Sequence, residues 1–111
     1  MKIKEIIAKI LANFYVWKIR KWTRQPLKTQ SNVLRKLIAS AKNTSFGKDH
    51  HFAKIKNYKD FVLNTKVQDY EGLRPYIERV MDGEENVLWP GKPIYFAKTS
   101  GTTSGEKYIP I

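Results

Sequence analysis

The last eighteen residues constrain the fold most. Ile94-Tyr95-Phe96-Ala97-Lys98 is a β-prone apolar run, and Tyr108-Ile109-Pro110-Ile111 is another. Between them lies Thr99-Ser100-Gly101-Thr102-Thr103-Ser104-Gly105-Glu106-Lys107, a turn of hydroxyls and glycines. The pattern predicts strand, loop, strand. Two glycines allow a tight backbone with no Cβ in the way of a ligand. The hydroxyl side chains and several backbone N–H groups can converge there, and successive N–H groups in a turn form an anion-binding nest. Lys107 adds a positive charge. Two readings stand at this point: a phosphate-binding loop, or a plain polar hairpin connection, since Gly, Ser and Thr are ordinary turn residues. The common nucleotide loops are excluded. G-x-x-x-x-G-K-[ST] fails because Glu106 and Tyr108 occupy the wrong positions, and no G-x-G-x-x-G is present.

The front of the chain is of another kind. Ile3, Ile6, Ile7, Ile10, Leu11, Phe14 and Trp17 recur three and four apart, which predicts an amphipathic helix over about residues 2–22, with Lys2, Lys9 and Lys18 off the stripe. Lys9 interrupts the apolar run and no small-residue cleavage site follows, so it is no secretory signal. It is too charged to span a bilayer. The stripe either docks on the rest of the fold or lies on an anionic membrane, with Tyr15, Trp17 and Trp22 at the interface. Pro26 breaks this helix or opens a second, since proline is tolerated in a first turn. Val33, Leu34, Leu37, Ile38 and Ala41 mark that second helix, roughly 27–42. Asn43 to Gly47 should close it, with Gly47 left-handed.

Further on, Tyr58, Phe61, Val62 and Leu63 suggest a short helix at about 57–63. Asp69 caps a turn over Tyr70–Leu73. Pro75 opens a helix over 75–82 that buries Tyr76, Ile77, Val80 and Met81 and ends at Gly83. Trp89-Pro90-Gly91 turns the chain into the first strand. Asp49-His50-His51 does not make a chelating pair, because neighbouring side chains diverge. No metal ligand set is assigned. Glu71, Glu78, Glu84 and Glu85 are read as solvated surface charge, and no catalytic residue is assigned.

Charge divides the 111 residues unevenly. The net charge is +11, but residues 1–66 carry 16 Lys/Arg against 3 Asp/Glu, while residues 67–111 carry 5 against 7. Basicity therefore belongs to the front half. Lys18-Ile19-Arg20-Lys21-Trp22-Thr23-Arg24 alone would suit a phosphate backbone. With no recognition helix, aromatic RNA-binding strand or zinc pattern beside it, that tract reads better as a solvated helix end than as a nucleic-acid site. The absence of cysteine excludes disulfides, thiolate nucleophiles and Cys-type zinc sites, and is compatible with a cytoplasmic location.

The loop resembles the phosphate loop of the adenylate-forming superfamily through Thr99-Ser100-Gly101-Thr102-Thr103 and Lys107. That loop usually continues Gly, any residue, Pro, Lys. Here Ser104-Gly105-Glu106-Lys107 displaces the second glycine by one and lacks the proline. These departures fit a divergent branch, the auxin-responsive promoter family of acyl-acid–amido synthetases. Phe46-Gly47-Lys48-Asp49-His50-His51-Phe52, then Tyr70-Glu71-Gly72-Leu73-Arg74-Pro75-Tyr76-Ile77-Glu78-Arg79, then Gly83-Glu84, are similar to that family's amino-terminal region in order and spacing.

The resemblance implies an α/β fold, with residues 1–111 an incomplete amino-terminal portion of one large domain. Residues 1–66 would be mostly helical and basic, and residues 67–111 mixed, ending in the loop. The chain stops in a strand just after a ligand-type loop, which reads as the front of a longer protein. The implied activity is an ATP-dependent ligase joining a small carboxylic acid to an amine or amino acid through an acyl-AMP intermediate, with Mg2+ sharing the phosphate charge. Thr99, Ser100, Gly101, Thr102, Thr103, Ser104, Gly105 and Lys107 would hold the phosphates. The segment alone is expected to be inactive. The rival expectation is a small basic helical module that binds anionic membrane or nucleic acid.

Overall fold

The computed structural model describes residues 2–101 and 105–111. Two helices of 22 and 16 residues lead: α1 (Ile3–Arg24) and α2 (Pro26–Ala41). Three shorter ones follow: α3 (Ser45–Asp49), α4 (Tyr58–Asn64) and α5 (Tyr70–Met81), with a single 3-10 turn at Phe52–Lys54. Strands β1 (Phe96–Thr99) and β2 (Lys107–Pro110) form one antiparallel pair. The chain divides into two compact units, residues 1–33 and 34–111.

The first unit is helical. Pro26 occupies the first helical position of α2, where its missing N–H costs nothing. Gln25 N–H donates to the Trp22 carbonyl, and the Thr29 hydroxyl reaches the same oxygen at 3.2 Å. The apolar stripe of α1 takes a different course from the expected one. Lys18 follows Phe14 by four residues and Leu11 by seven, so on an α-helix it falls on the stripe itself. It is half-buried, with its ammonium 5.2 Å from the Trp22 ring centroid. No residue of α1 is buried.

The second unit is built on Ile38 and Ala41 of α2, with Phe52 and Ile55. Leu34, Phe46 and Phe61 pack against that cluster. Phe46 meets Phe52 edge-on at 5.8 Å and Tyr76 at 5.1 Å, and the His50 ring stacks on it at 3.9 Å. His50 is thus a packed ring whose Nδ1 lies 2.9 Å from the Phe46 carbonyl. The Tyr76 phenol donates to Asp49 Oδ2 at 2.7 Å, and burial together with that bond holds its ionisation above the usual phenol range.

Gly47 is not the left-handed stop expected after α2. It lies inside α3 and is buried, because a Cβ there would run into the Ala41 carbonyl. Thr44 is what turns the chain. Its side-chain hydroxyl donates to the Ala41 carbonyl at 2.7 Å and accepts from Gly47 N–H at 3.0 Å, ending one helix and capping the next. The first N–H groups of α3 are satisfied from far along the chain: Ser45 and Phe46 donate to the carbonyls of Asn86 and Val87, each at 2.9 Å.

Helix α5 starts five residues before the proline expected to open it. The Asp69 carboxylate accepts from Gly72 N–H at 3.0 Å, a complete N-cap, so Tyr70–Leu73 is helix and Pro75 sits within it. The cap outweighs the local break because the carbonyl deprived of a donor is that of exposed Glu71. At the other end Gly83 (φ 92°) donates to Val80 and Glu84 donates to Arg79, a Schellman closure. Ile77 and Val80 are buried as anticipated, whereas Met81 is exposed.

Candidate functional site

The candidate site is the connection between β1 and β2. The strands begin and end within two residues of their expected limits, and Thr99 and Lys107 face each other as the last cross-strand pair. The connection itself is therefore 100–106. Thr99 closes its neck from one side: its carbonyl accepts from Gly101 N–H at 3.0 Å, and its hydroxyl accepts from Lys107 N–H at 3.3 Å. Gly101 passes so close to Gly105 that a Cβ would overlap the Gly105 carbonyl. Gly105 itself is left-handed, at φ 79°. Each glycine thus answers a steric demand of its own: one a close backbone approach, the other a positive φ. Ser100 is exposed at the rim. Thr102, Thr103 and Ser104 were also assigned to the phosphates; they lie outside the described residues.

The charges at the neck are arranged in pairs. Lys98 forms an ion pair with Glu106 at 3.0 Å, which raises the lysine above its ordinary range. Lys107 leans over the Tyr70 ring, with its ammonium 5.7 Å from the centroid, and the Arg74 guanidinium lies 5.5 Å from the same ring. Arg74 in turn donates from Nε to Glu71 at 2.8 Å, a bond that holds the Glu71 carboxyl below the usual carboxylate range.

Tyr70 is the residue that sequence reading did not bring to the site. Its hydroxyl accepts from Tyr108 N–H at 2.9 Å and faces the Tyr108 carbonyl at 3.3 Å, so one phenol occupies both main-chain groups of one strand residue. This ties the start of α5 to the start of β2. Nothing local to Tyr70 signals a partner so far along the chain. Removing the hydroxyl in Tyr70→Phe should leave the ring under Lys107 but free the Tyr108 amide. Hydrogen exchange at Tyr108 is expected to accelerate about tenfold, the equivalent of roughly one hydrogen bond. An unchanged rate would mean that the tie contributes nothing.

The donor set was compared with the groups that resemblance implies. Backbone N–H groups, hydroxyls and Lys107 suit phosphate oxygens. Among the described residues no three His, Cys, Asp or Glu side chains come together as metal ligands.

A family model described as the GH3 family N-terminal domain matches residues 16–111. Indole-3-acetic acid-amido synthetase GH3.2 of Arabidopsis thaliana is 31% identical over 92 residues, which cover 82% of this chain and 17% of that protein. Probable indole-3-acetic acid-amido synthetase GH3.1 of the same plant is 29% identical over 92 residues, covering 82% and 16%. A probable indole-3-acetic acid-amido synthetase of Oryza sativa subsp. japonica, also GH3.2, is 30% identical over 92 residues, covering 82% and 15%. The chain thus spans about one sixth of the length of the curated relatives it matches. No solved structure gives a significant match. With a mostly helical segment, one small antiparallel pair and a family match across the greater part of its length, the chain belongs to the GH3 family of acyl-acid–amido synthetases.

Proposed function

We propose that these residues are the amino-terminal part of an ATP-dependent ligase that joins a carboxylic acid to an amine. In the first step a carboxylate oxygen attacks the α-phosphorus of ATP; an acyl–AMP mixed anhydride forms and pyrophosphate leaves. In the second step the amine nitrogen attacks the acyl carbon, the amide bond forms and AMP departs with the anhydride oxygen. We take the cytoplasm as its compartment, in keeping with a cysteine-free segment. The relatives' names specify indole-3-acetic acid; we carry over the reaction class, with a small carboxylic acid and an amine or amino acid as substrates.

The single observation behind the reading is the hydroxyl- and glycine-rich connection at 99–107, set between paired strands inside the matched segment. Thr99, Ser100, Gly101, Thr102, Thr103, Ser104, Gly105 and Lys107 would surround the phosphates. N–H and O–H donors aimed at phosphate oxygens stabilise the charge that builds up as pyrophosphate leaves. Mg2+ on the nucleotide would neutralise part of the same charge. The 111 residues alone would bind phosphate weakly and not turn over.

The test is carboxylate-dependent exchange of labelled pyrophosphate into ATP by a protein spanning the relatives' full length. Gly101→Ala should lower exchange about 100-fold, since the added Cβ must displace the Gly105 backbone and with it the donors of the loop. Exchange that survives the substitution would remove the loop from the mechanism. A wild-type protein that exchanges no pyrophosphate across a panel of carboxylic acids would remove the mechanism itself.

A further inference from the structure

We infer that α1 is a peripheral anchor that lies flat on an anionic lipid surface, an interaction separate from the ligase reading and independent of it. Three observations converge. First, the apolar side chains of α1 are exposed: Ile6 at 43%, Leu11 and Phe14 at 52%, Trp17 at 58%, Ile10 at 63% and Ile3 at 75%. Isoleucine and leucine gain nothing from a phosphate backbone, but they gain from hydrocarbon. Second, residues 2–33 carry eight Lys/Arg against one acid, Glu5. A neutral apolar partner would make no use of that charge, whereas the anionic leaflet of a bilayer attracts each cation near its surface.

Third, the two chemistries meet at one end of the helix. The Lys18 ammonium lies 5.2 Å from the Trp22 ring and that of Lys21 lies 5.4 Å from the Trp17 ring. Phe14, Trp17, Lys21, Arg24 and Lys28 line one groove where α1 turns into α2. Indole rings prefer the headgroup level, and long basic side chains extend from there toward acidic headgroups. The position of Lys18 on the stripe, a defect in a face meant for a protein core, is suited to such a boundary. Among the described residues no helix is long and apolar enough to cross a membrane. The helix would therefore rest on the surface. Most of the stripe precedes residue 16, where the family match begins.

The experiment is co-sedimentation of residues 1–111, and of a protein spanning the relatives' full length, with vesicles of phosphatidylcholine alone or with 30% phosphatidylserine. In the shorter piece a Trp89→Phe background lets Trp17 and Trp22 report. Loss of binding in the longer protein would overturn the inference by showing that the rest of the chain covers the face. Binding should be at least about tenfold tighter to the anionic vesicles, weaken with added salt, and place the indoles within reach of bromolipid quenchers. Lys18→Glu with Lys21→Glu should lower binding about tenfold or more. Trp17→Ser with Trp22→Ser keeps the cations and should also lose binding, which a purely electrostatic contact would not. Equal partition to neutral and anionic vesicles would overturn the inference. So would duplex nucleic acid that displaces the protein from vesicles at matched phosphate concentration. A dimer seen by sedimentation velocity whose formation excludes vesicles would overturn it as well, by showing that a second copy covers the face.

Discussion

Phe52→Ala is expected to cost about 3–5 kcal/mol, the usual loss for a buried phenylalanine whose cavity cannot collapse. Phe52 is 7% exposed and sits in one cluster with Ile38, Ala41 and Ile55. Its ring also meets those of Phe46 at 5.8 Å and Phe61 at 6.4 Å. Those neighbours come from α2, α3, the turn before α4 and α4 itself, so no single element can move in to fill the space. A domain of this size has about 5–15 kcal/mol in all, and the variant should lie at or beyond its limit. Urea unfolding followed by far-ultraviolet circular dichroism measures it. Phe52→Leu, which keeps most of the volume, should lose less than half as much. A loss below about 1 kcal/mol for Phe52→Ala would falsify the view that this ring organises residues 34–111.

The second large effect is expected at Thr44. The side chain is 1% exposed, and its hydroxyl serves two main-chain groups at once. Thr44→Val keeps the shape and removes both bonds. The Gly47 N–H is then left buried beside a methyl group, while the Ala41 carbonyl keeps only the Thr44 main-chain N–H at 3.0 Å. Loss of an N-cap costs about 0.5–2 kcal/mol, and a stranded buried polar group costs about 1–3 kcal/mol. A combined loss of about 2–3 kcal/mol in urea unfolding is expected. Thr44→Ser restores the oxygen and should recover most of it. Equal stability of the Val and Ser variants would mean that the hydroxyl is incidental.

How far these features could be read from the chain depends on how local their causes are. Helices α1 and α2 follow from spacing and from Pro26, and both were legible to within two residues. Gly83 was legible as a stop because its cause, a positive φ after an apolar turn, is local. Gly47 was misread for the opposite reason: the atom that forbids a side chain there is the Ala41 carbonyl, brought close by a turn that only Thr44 explains. Likewise Pro75 suggested a helix start, because proline is a strong local signal. The Asp69 cap, six residues earlier, decided the matter. Of the candidate site, the glycine-rich connection was visible in the sequence, but Thr99 and Lys107 were read as loop and form instead the last pair of the strands. The contribution of Tyr70 was not visible, since a phenol reaching Tyr108 leaves no periodic trace.

The bonds from Ser45 and Phe46 to the carbonyls of Asn86 and Val87 carry a kinetic consequence. The start of α3 cannot be completed by its own neighbourhood, since two of its amides wait for a segment roughly forty residues downstream, and closing so long a loop is an entropic cost borne before the contact gives anything back. Asn86 is meanwhile held at φ 57° by its own bonds with Gly91, so the 86–91 loop arrives already shaped. Residues 34–111 should therefore emerge in one late cooperative step, with α3, the end of α5 and the 86–91 loop appearing together. On the ribosome, a chain paused before Asn86 would present α2 and Phe52 as a half-made core in need of its distant seam.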